Sequence, residues 1–271
     1  MESFTPFGVA LIRILLGAIT LTTLGLVTGN QIVKEAKLFK HFFVIAFVLN
    51  SFPFLMFAIG QQYISSSLAG ILNATTPLFA YLFLAAVFKT EKVRSNQVLG
   101  LFIGFFGVYL LMNASEIHSD NSFIGVLIIL AATMGYGFSF PYSRKFLLNR
   151  GYSPISLAST QLIFASLMLT PLSFFNEISK TNIDSTSLIS ILVLGIFGTG
   201  FAYVWNFQII ERAGSTIAST VTYITPLVAT FAGLLILREK ANLMQFLGGA
   251  AVLSSAALVQ RRIKFLKESN S

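Results

Sequence analysis

Two prolines stand inside long apolar runs, where they would expose backbone hydrogen-bonding groups. Pro77 follows Thr76 in "NATTPLFAYL", and Pro226 recurs 149 residues later in "TYITPLVATF". A proline frees the carbonyl four residues before it, here those of Asn73 and Thr222. An unpaired carbonyl is costly in an apolar medium. The pattern predicts two kinked helices that present acceptors to a polar cavity, unless neighbouring threonine hydroxyls pair with the same carbonyls.

Other polar and amphipathic side chains accompany the prolines. Tyr136 and Ser139 share one helical face, and Tyr203, Trp205 and Asn206 crowd into two turns. At mid-depth in a membrane such groups suit an organic solute with an apolar body and polar tips. Tyr203 and Trp205 fit an interfacial aromatic belt equally well. The candidate substrate-binding residues are Asn73, Thr76, Pro77, Tyr136, Ser139, Tyr203, Trp205, Asn206, Thr222, Tyr223 and Pro226.

Arg13 is the cation candidate inside an apolar run. It lies seven residues after Pro6, roughly 10 Å along a helix. A charge at that depth indicates function by default, but Arg13 could also snorkel to the interface or meet a structural partner. Asn50 and Ser51 are predicted to form hydrogen bonds between helices.

The composition places the chain in a lipid bilayer. Its 271 residues are 55% hydrophobic and 10% charged, whereas a soluble domain is about 25% charged. There is no cysteine, and the two histidines accompany no nucleophile or ligand cluster, so we expect no metal site, no cofactor and no enzymatic activity. The net charge of +8 comes from basic clusters between apolar runs, which indicates membrane orientation and not nucleic acid binding.

Turn signals divide the chain into nine apolar runs, each near the 20 residues or so that a spanning helix needs. We name them segments A to I: 7–28 (A), 42–60 (B), 64–88 (C), 96–113 (D), 123–142 (E), 155–175 (F), 187–209 (G), 216–237 (H) and 243–260 (I). The predicted fold is an all-α integral membrane domain. Gly100, Gly104 and Gly107 in segment D and Gly248 and Gly249 in segment I predict close helix packing.

Lysine and arginine are distributed unevenly between alternate loops. Fourteen lie in loops on one side and three in loops on the other, and positive loops stay in the cytoplasm. The C-terminal tail, residues 263–271, is therefore predicted to be cytoplasmic. With nine crossings Met1 falls outside, and segment A does not look like a cleavable signal peptide. We therefore expect that a segment is missing upstream of it.

The sequence contains an internal repeat at an offset of 148 or 149 residues. It pairs segments A, B, C and D with F, G, H and I, and leaves E without a partner. Matched positions include Pro6 with Pro154, Arg13 with Gln161, Phe52 with Phe201, Phe54 with Tyr203, and Glu91 with Glu239. Partners lie five crossings apart, so the copies are predicted to be inverted in the membrane. The first repeat covers 1–113 with four spans, and the second covers 123–262 with five.

Three stretches carry a resemblance to a known family. They are "TPFGVALIRILLGA" in segment A, "ATTPLFAYLFLAAVFKTEKVRSNQVLGLFIGFFGVYLL" across C and D, and "TYITPLVATFAGLLILREKANLMQFLGGAAVLSSAAL" across H and I. The chain resembles the EamA family of the drug/metabolite transporter superfamily over essentially its whole length. The resemblance implies ten transmembrane helices in two inverted five-helix halves and a pathway lined by segments B, C, E, G and H. Relative to that plan, the first helix is missing here.

Inverted repeats are the usual architecture of secondary transporters, because two mirrored halves can open alternately to either side. We therefore expect a carrier with a small-molecule substrate. The resemblance implies a metabolite such as an amino acid, exported across a bacterial inner membrane. The nine runs offer no carboxylate for proton coupling. A truncated, inactive remnant is the alternative, followed by a channel or a membrane enzyme. The sequence gives no indication of the oligomeric state.

Overall fold

The computed structural model describes residues 3–88, 99–100, 102–104, 106–107, 109–110, 120–148, 150–180, 183–223 and 243–259. Within these ranges the elements are helices, apart from one isolated bridge between Phe4 and Ser179. Among the described residues, five helices are long and apolar enough to cross a membrane: Pro6–Val27, Ala36–Gly60, Phe123–Phe146, Pro154–Phe174 and Ser185–Ala213. They correspond to segments A, B, E, F and G.

Segments A and F begin with the same capping arrangement. Thr5 caps segment A, where its Oγ1 accepts a hydrogen bond from the Gly8 N–H at 3.0 Å, and Pro6 occupies the first helical position. Ser153 caps segment F and accepts from the Ser156 N–H at 3.2 Å, with a proline again next in sequence. The hydroxyl satisfies an orphan N–H, and proline has none to lose.

Segments B and G each depart from α-helical geometry in one stretch. Segment B starts earlier than predicted and is π-helical at Phe47–Ser51. Segment G is π-helical at Ile196–Phe201. The two stretches begin 149 residues apart, which is the offset of the sequence repeat. A π-helical turn inserts an extra residue and is frequent at functional sites, so each span carries its irregularity at an equivalent place.

Segment C is broken and not merely kinked. One helix covers Ser66–Asn73 and a second covers Thr76–Ala86, with Pro77 in the first turn of the second helix. At the break the Thr75 N–H donates to the Leu72 carbonyl at 3.0 Å. Proline tolerates a first turn far better than a helix interior, because it lacks the N–H and clashes with the preceding turn.

Segment H also leaves the α-helix early. It begins as Ser215–Ser219 and continues as a 3-10 turn, Thr220–Tyr223. Residues 224–242 lie outside the described residues, and with them Pro226 and its predicted kink. Most of segment D and the predicted tail, 263–271, lie outside them as well. Segment I is the helix Leu243–Val259.

The chain forms two compact units, and the first comprises Met1–Ala58 and Tyr142–Ser215. Unit 1 holds segments A, B, F and G, and segment A packs against both F and G. A Cβ added at Gly17 would lie 3.3 Å from the Gly195 carbonyl oxygen, and one at Gly195 would lie 2.6 Å from the Leu16 Cβ. Small residues therefore bring segments A and G into backbone contact.

The second unit comprises Ile59–Pro141 and Thr216–Ser271. A Cβ added at Gly137 of segment E would lie 2.5 Å from the Phe79 Cβ, so segments C and E pack closely. A Cβ added at Gly107 of segment D would lie 2.9 Å from the Gly248 carbonyl oxygen. The predicted close packing of segments D and I is confirmed at this pair. Each unit combines segments from both predicted repeats.

The loop between segments F and G is tied to the start of segment A. Asp184 caps segment G through a hydrogen bond from the Ser187 N–H at 3.1 Å, and it also accepts one from the Ser3 hydroxyl. Hydrogen bonds from Ser187 and Ser3 hold the pKa of this carboxyl well below its usual range. The carboxylate therefore stays charged at physiological pH.

Candidate functional site

The break in segment C gathers four polar side chains within unit 2. The Asn73 Oδ1 accepts a hydrogen bond from the Thr76 hydroxyl at 3.3 Å. The Thr75 Oγ1 lies 2.7 Å from the Leu72 carbonyl oxygen and 3.1 Å from the Thr133 Oγ1 of segment E. We call Asn73, Thr75, Thr76 and Thr133 the break group; all four are buried.

The hydroxyls of Thr75 and Thr76 form hydrogen bonds with groups other than the Asn73 carbonyl, which Pro77 leaves without its usual donor. Pro77 has no N–H to give to the Asn73 carbonyl. Among the described hydrogen bonds, Thr76 donates to the Asn73 side chain and Thr75 donates to Leu72 or Thr133. Among the described hydrogen bonds, none joins a neighbouring hydroxyl to the Asn73 carbonyl, which was the alternative left open by the sequence.

Segment E continues the break group along one face. Tyr136 and Ser139 follow Thr133 at spacings of three, and the Ser139 hydroxyl donates to the Tyr136 carbonyl at 2.6 Å. Ser139 is buried and Tyr136 is half-buried. Thr75 and Thr133 were not among the predicted site residues, although the spacing of three before Tyr136 carried the signal for Thr133.

Segment H brings one more predicted residue to unit 2. The turn Thr220–Tyr223 contacts the helix Thr76–Ala86. Thr222 is half-buried, and its hydroxyl donates to the Ser219 carbonyl at 2.7 Å. Tyr223 ends the described part of this segment, and Pro226 lies outside it.

A second polar group lies in unit 1 around Arg13. Its Nε donates to the Thr199 Oγ1 at 3.1 Å, and its Nη2 lies 3.5 Å from the Gly198 carbonyl oxygen. The guanidinium carbon sits 3.6 Å from the centroid of the Phe54 ring, a cation–π geometry. Arg13 therefore reaches sideways to segments B and G, with partners on both.

Tyr203, another predicted site residue, belongs to the same group. Its ring lies 6.2 Å from the Phe54 ring, centroid to centroid. Its hydroxyl donates to the Leu49 carbonyl at 2.9 Å, inside the π-helical stretch of segment B. We call Arg13, Phe54, Thr199 and Tyr203 the arginine group. Tyr203 is buried, so its position in unit 1 is internal.

The predicted hydrogen bonds between helices at Asn50 and Ser51 are confirmed. The Gln161 Nε2 of segment F donates to the Asn50 Oδ1 at 2.5 Å, and both side chains are fully buried. The Ser51 hydroxyl donates to the Ala165 carbonyl at 3.5 Å. These contacts fasten segment B to segment F.

Trp205 and Asn206 take different positions on segment G. Trp205 is 58% exposed, and its ring centroid lies 6.4 Å from that of Phe201. Asn206 is half-buried. The exposure of Trp205 favours the interfacial-belt interpretation for this residue. Tyr203, whose hydroxyl is bonded inside unit 1, fits that interpretation less well.

The described residues contain no group of three or more histidine, aspartate or glutamate side chains placed to hold a metal ion. The polar groups of both units consist of hydroxyls, amides, carbonyls and one guanidinium. Groups of these kinds can form hydrogen bonds with a solute.

Comparison with known proteins assigns the family. The model of the EamA-like transporter family matches residues 1–113 and 123–261. An uncharacterized transporter of Archaeoglobus fulgidus is 27% identical over 95% of this chain and 90% of its own length. The uncharacterized transporter YdfC of Bacillus subtilis is 24% identical over 97% of this chain and 84% of its own length.

One solved crystal structure shares the fold. It aligns with a TM-score of 0.70 over 95% of this chain and 89% of that chain, at 16% sequence identity. The five long apolar helices among the described residues and the match along both parts of the chain agree with this assignment. The chain belongs to the EamA-like transporter family.

Proposed function

We propose that this protein is a secondary carrier that moves a small metabolite, such as an amino acid, outward across a bacterial inner membrane by alternating access. Family membership supports the transport role. The observation that carries the carrier mechanism is the break at Asn73 to Thr76, where an apolar segment loses its helix and gathers buried polar groups. Broken helices of this kind form midplane binding sites in transporters.

An inverted repeat would supply the alternating motion. Three observations support two copies of one unit: the family model matches in two blocks, the helix caps of segments A and F recur, and the π-helical stretches recur at the repeat offset. Because partner segments are five crossings apart in the nine-span plan, the copies run in opposite directions through the membrane. Mirrored halves can expose one site to either side in turn.

The proposed substrate contacts in unit 2 centre on the break group and its neighbours. Asn73, Thr76, Tyr136, Ser139 and Thr222 offer amide, hydroxyl and carbonyl groups beside apolar side chains. This mixture suits a metabolite with a polar head and an apolar body. Pro77 acts by forcing the break. The corresponding kink at Pro226, which lies outside the described residues, stays a prediction from the sequence. For Tyr203, Trp205 and Asn206, which lie in unit 1, substrate contact stays a prediction from the sequence.

The experiment is flux into vesicles that contain the purified protein. Accumulation of a labelled amino acid that saturates and is accelerated by unlabelled substrate inside the vesicles would identify a carrier, because a channel gives no such exchange. Vesicles without flux for any amino acid or related metabolite would contradict the proposal and support the inactive remnant.

Variants test the break directly. The double variant Pro77→Ala, Pro226→Ala restores two N–H groups and lets segment C continue as one helix, so we expect flux to fall by about tenfold or more. Pro171→Ala, in the exposed turn that ends segment F, is the matched control and should keep its flux. A double variant that remains monodisperse and transports at the rate of the unaltered protein would refute the role of the prolines.

A further inference from the structure

Positive charge collects at one end of unit 1. The His41 Nδ1 lies 2.9 Å from the Tyr142 hydroxyl oxygen, which brings the start of segment B to the end of segment E. The Tyr152 hydroxyl donates to the Glu35 Oε2 at 3.4 Å, so segment F begins at the same end. We call this region the basic end. Its exposed basic residues are Lys34, Lys37, Lys40, Arg144, Lys145, Arg150 and Arg212, against the two carboxylates Glu35 and Glu211.

Arg144 lies against the residue that ends the helix of segment G. A Cβ added at Gly214 would lie 2.7 Å from the Arg144 Nη1 and 3.4 Å from its Cζ. Gly214 also has a φ of 90°, a backbone conformation that glycine adopts without strain. The absence of a side chain at Gly214 therefore permits both the turn and the approach of the guanidinium.

Arg212 is a second cation at the same place. It precedes Gly214 by two residues, so their Cα atoms are at most about 7.6 Å apart. Among the described residues neither Arg144 nor Arg212 forms an ion pair, although the exposed Glu211 is next to Arg212 in sequence. Two neighbouring guanidinium groups repel each other, and an anion placed between them would stabilise both.

A ligand at this place would also meet an apolar surface. Trp205 lies seven residues before Arg212, which is nearly two turns, so it shares the face of Arg212 about 10 Å further into the span. Trp205 is 58% exposed. An exposed indole below exposed cations matches the order of groups in a phospholipid, in which the acyl chains lie beneath the phosphate.

The interaction of cations with helix dipoles explains only part of this arrangement. Arg144 lies in the last turn of its helix, and Arg212 in the last turn of the next. A cation near a helix C-terminus is stabilised by the partial negative charge there. That effect accounts for each arginine alone, but it does not require the two charges to meet at one glycine.

We propose that Arg144 and Arg212 bind the phosphate of an anionic phospholipid. The planar guanidinium presents a fork of N–H groups that matches two phosphate oxygens. An anionic lipid is favoured over a zwitterionic one because no headgroup cation repels the arginines, and over a free phosphate because Trp205 offers contact to the rest of the lipid. The predicted orientation puts this site in the cytoplasmic leaflet, where anionic lipids attract basic segments.

Lipid-dependent thermal stability of the purified protein in dodecyl maltoside tests the proposal. The melting temperature is measured during titration with phosphatidylglycerol, with phosphatidylcholine of the same acyl chains, and with glycerol 3-phosphate and sodium phosphate at matched ionic strength. We expect phosphatidylglycerol to raise the melting temperature with saturation. Phosphatidylcholine should have a clearly smaller effect, and the two soluble phosphates no comparable effect at the same concentration.

Variants locate the site within the basic end. Arg144→Gln and Arg212→Gln should each weaken phosphatidylglycerol binding by about fivefold, because each removes one cation from the phosphate. Arg150→Gln is the matched control: it removes the same charge from the loop before segment F and should weaken binding by less than about twofold, since distant surface charges are screened. Arg144→Lys keeps the charge without the fork, should bind with intermediate strength, and serves if Arg144→Gln does not fold.

The proposal is overturned if phosphatidylcholine or the soluble phosphates stabilise the protein as well as phosphatidylglycerol does. It is also overturned if both glutamine variants bind as the unaltered protein does, or if Arg150→Gln weakens binding as much as Arg144→Gln. The last result would mean that the charge excess attracts the lipid without a defined site. Because the readout is binding, the outcome does not depend on whether the protein transports the proposed metabolite.

Discussion

The buried amides Asn50 and Gln161 illustrate what single residues contribute to this protein. Each side chain uses one of its two polar groups in the hydrogen bond between them. The other two groups, the Asn50 Nδ2 and the Gln161 Oε1, are buried without a partner among the described residues. A buried polar group costs free energy unless it is bonded. The pair therefore stabilises the contact of segments B and F chiefly because each residue leaves one polar group unsatisfied instead of two.

This arrangement predicts strong coupling between two substitutions. Gln161→Leu removes the donor and leaves the Asn50 amide with no partner, which should cost about 1–3 kcal/mol of unfolding free energy. Asn50→Leu should cost a similar amount, and the double variant clearly less than the sum of the two. Reversible unfolding in mixed micelles gives the values. Asn176→Leu, at an exposed amide, should change stability by less than about 0.5 kcal/mol; additive costs would contradict the coupling.

Some members of these polar groups could be predicted from residue type alone. The buried amide Asn50 and the helix interruption at Pro77 could be predicted, because a polar residue or a proline is conspicuous in an apolar run. The partners could not, because the Arg13 to Thr199 bond joins residues 186 positions apart. Thr75 was missed since a threonine beside a more prominent threonine and proline gives no separate signal.

At the scale of elements, the spans were predictable and their irregularities only in part. Hydropathy gave the positions of segments A, B, E, F and G to within a few residues, although segment B starts earlier. The break in segment C was expected as a kink, and the two separate helices differ from that because proline settles into a first turn. The π-helical stretches escaped prediction, since no proline lies inside Phe47–Ser51 or Ile196–Phe201.

Close packing of segments A and G predicts opposite outcomes for two nearby glycines. A Cβ at Gly195 would lie 2.6 Å from the Leu16 Cβ, whereas a Cβ at Gly198 would meet only Leu194 of its own segment, at 3.2 Å. Gly195→Ala should therefore push the helices apart and lower the free energy of unfolding by about 1–3 kcal/mol. Gly198→Ala should be near neutral, because alanine favours a helix over glycine.

Thermal unfolding of the two variants in one detergent provides the measurement. Equal stability of Gly195→Ala and Gly198→Ala would show that the approach of segments A and G is looser than the structure indicates. A loss confined to Gly195→Ala would confirm that the backbone contact, and not glycine content, holds this pair together.

At the scale of the whole molecule, the division of the chain into two compact units could not be predicted from the sequence. The repeat stays a prediction from the sequence, and its pairing does not coincide with the two units: unit 1 takes segments A and B from the first predicted repeat and F and G from the second. Sequence similarity relates A to F, and nothing in it states that A also packs on G. That choice depends on the small residues and the polar bonds where these helices meet.

Orientation yields a prediction for the complete chain. Fourteen basic residues in loops on one side against three on the other predict a cytoplasmic C-terminal end. Fused at the C-terminus, green fluorescent protein should fluoresce and alkaline phosphatase should be inactive, because the first folds in the cytoplasm and the second only outside it. An active phosphatase fusion together with a non-fluorescent green fluorescent protein fusion would contradict the predicted orientation, and with it the proposed direction of transport.

The long sequence separation of the bonds in unit 1 has a consequence for biosynthesis. When Arg13 and Asn50 leave the ribosome, their partners Thr199 and Gln161 have not yet been translated, and the intervening chain is 185 and 110 residues long. The first half of the nascent protein therefore enters the bilayer before the hydrogen bonds from Arg13 to Thr199 and from Gln161 to Asn50 can form. An insertase or chaperone that shelters segments A and B until F and G arrive would be a natural requirement for producing this protein.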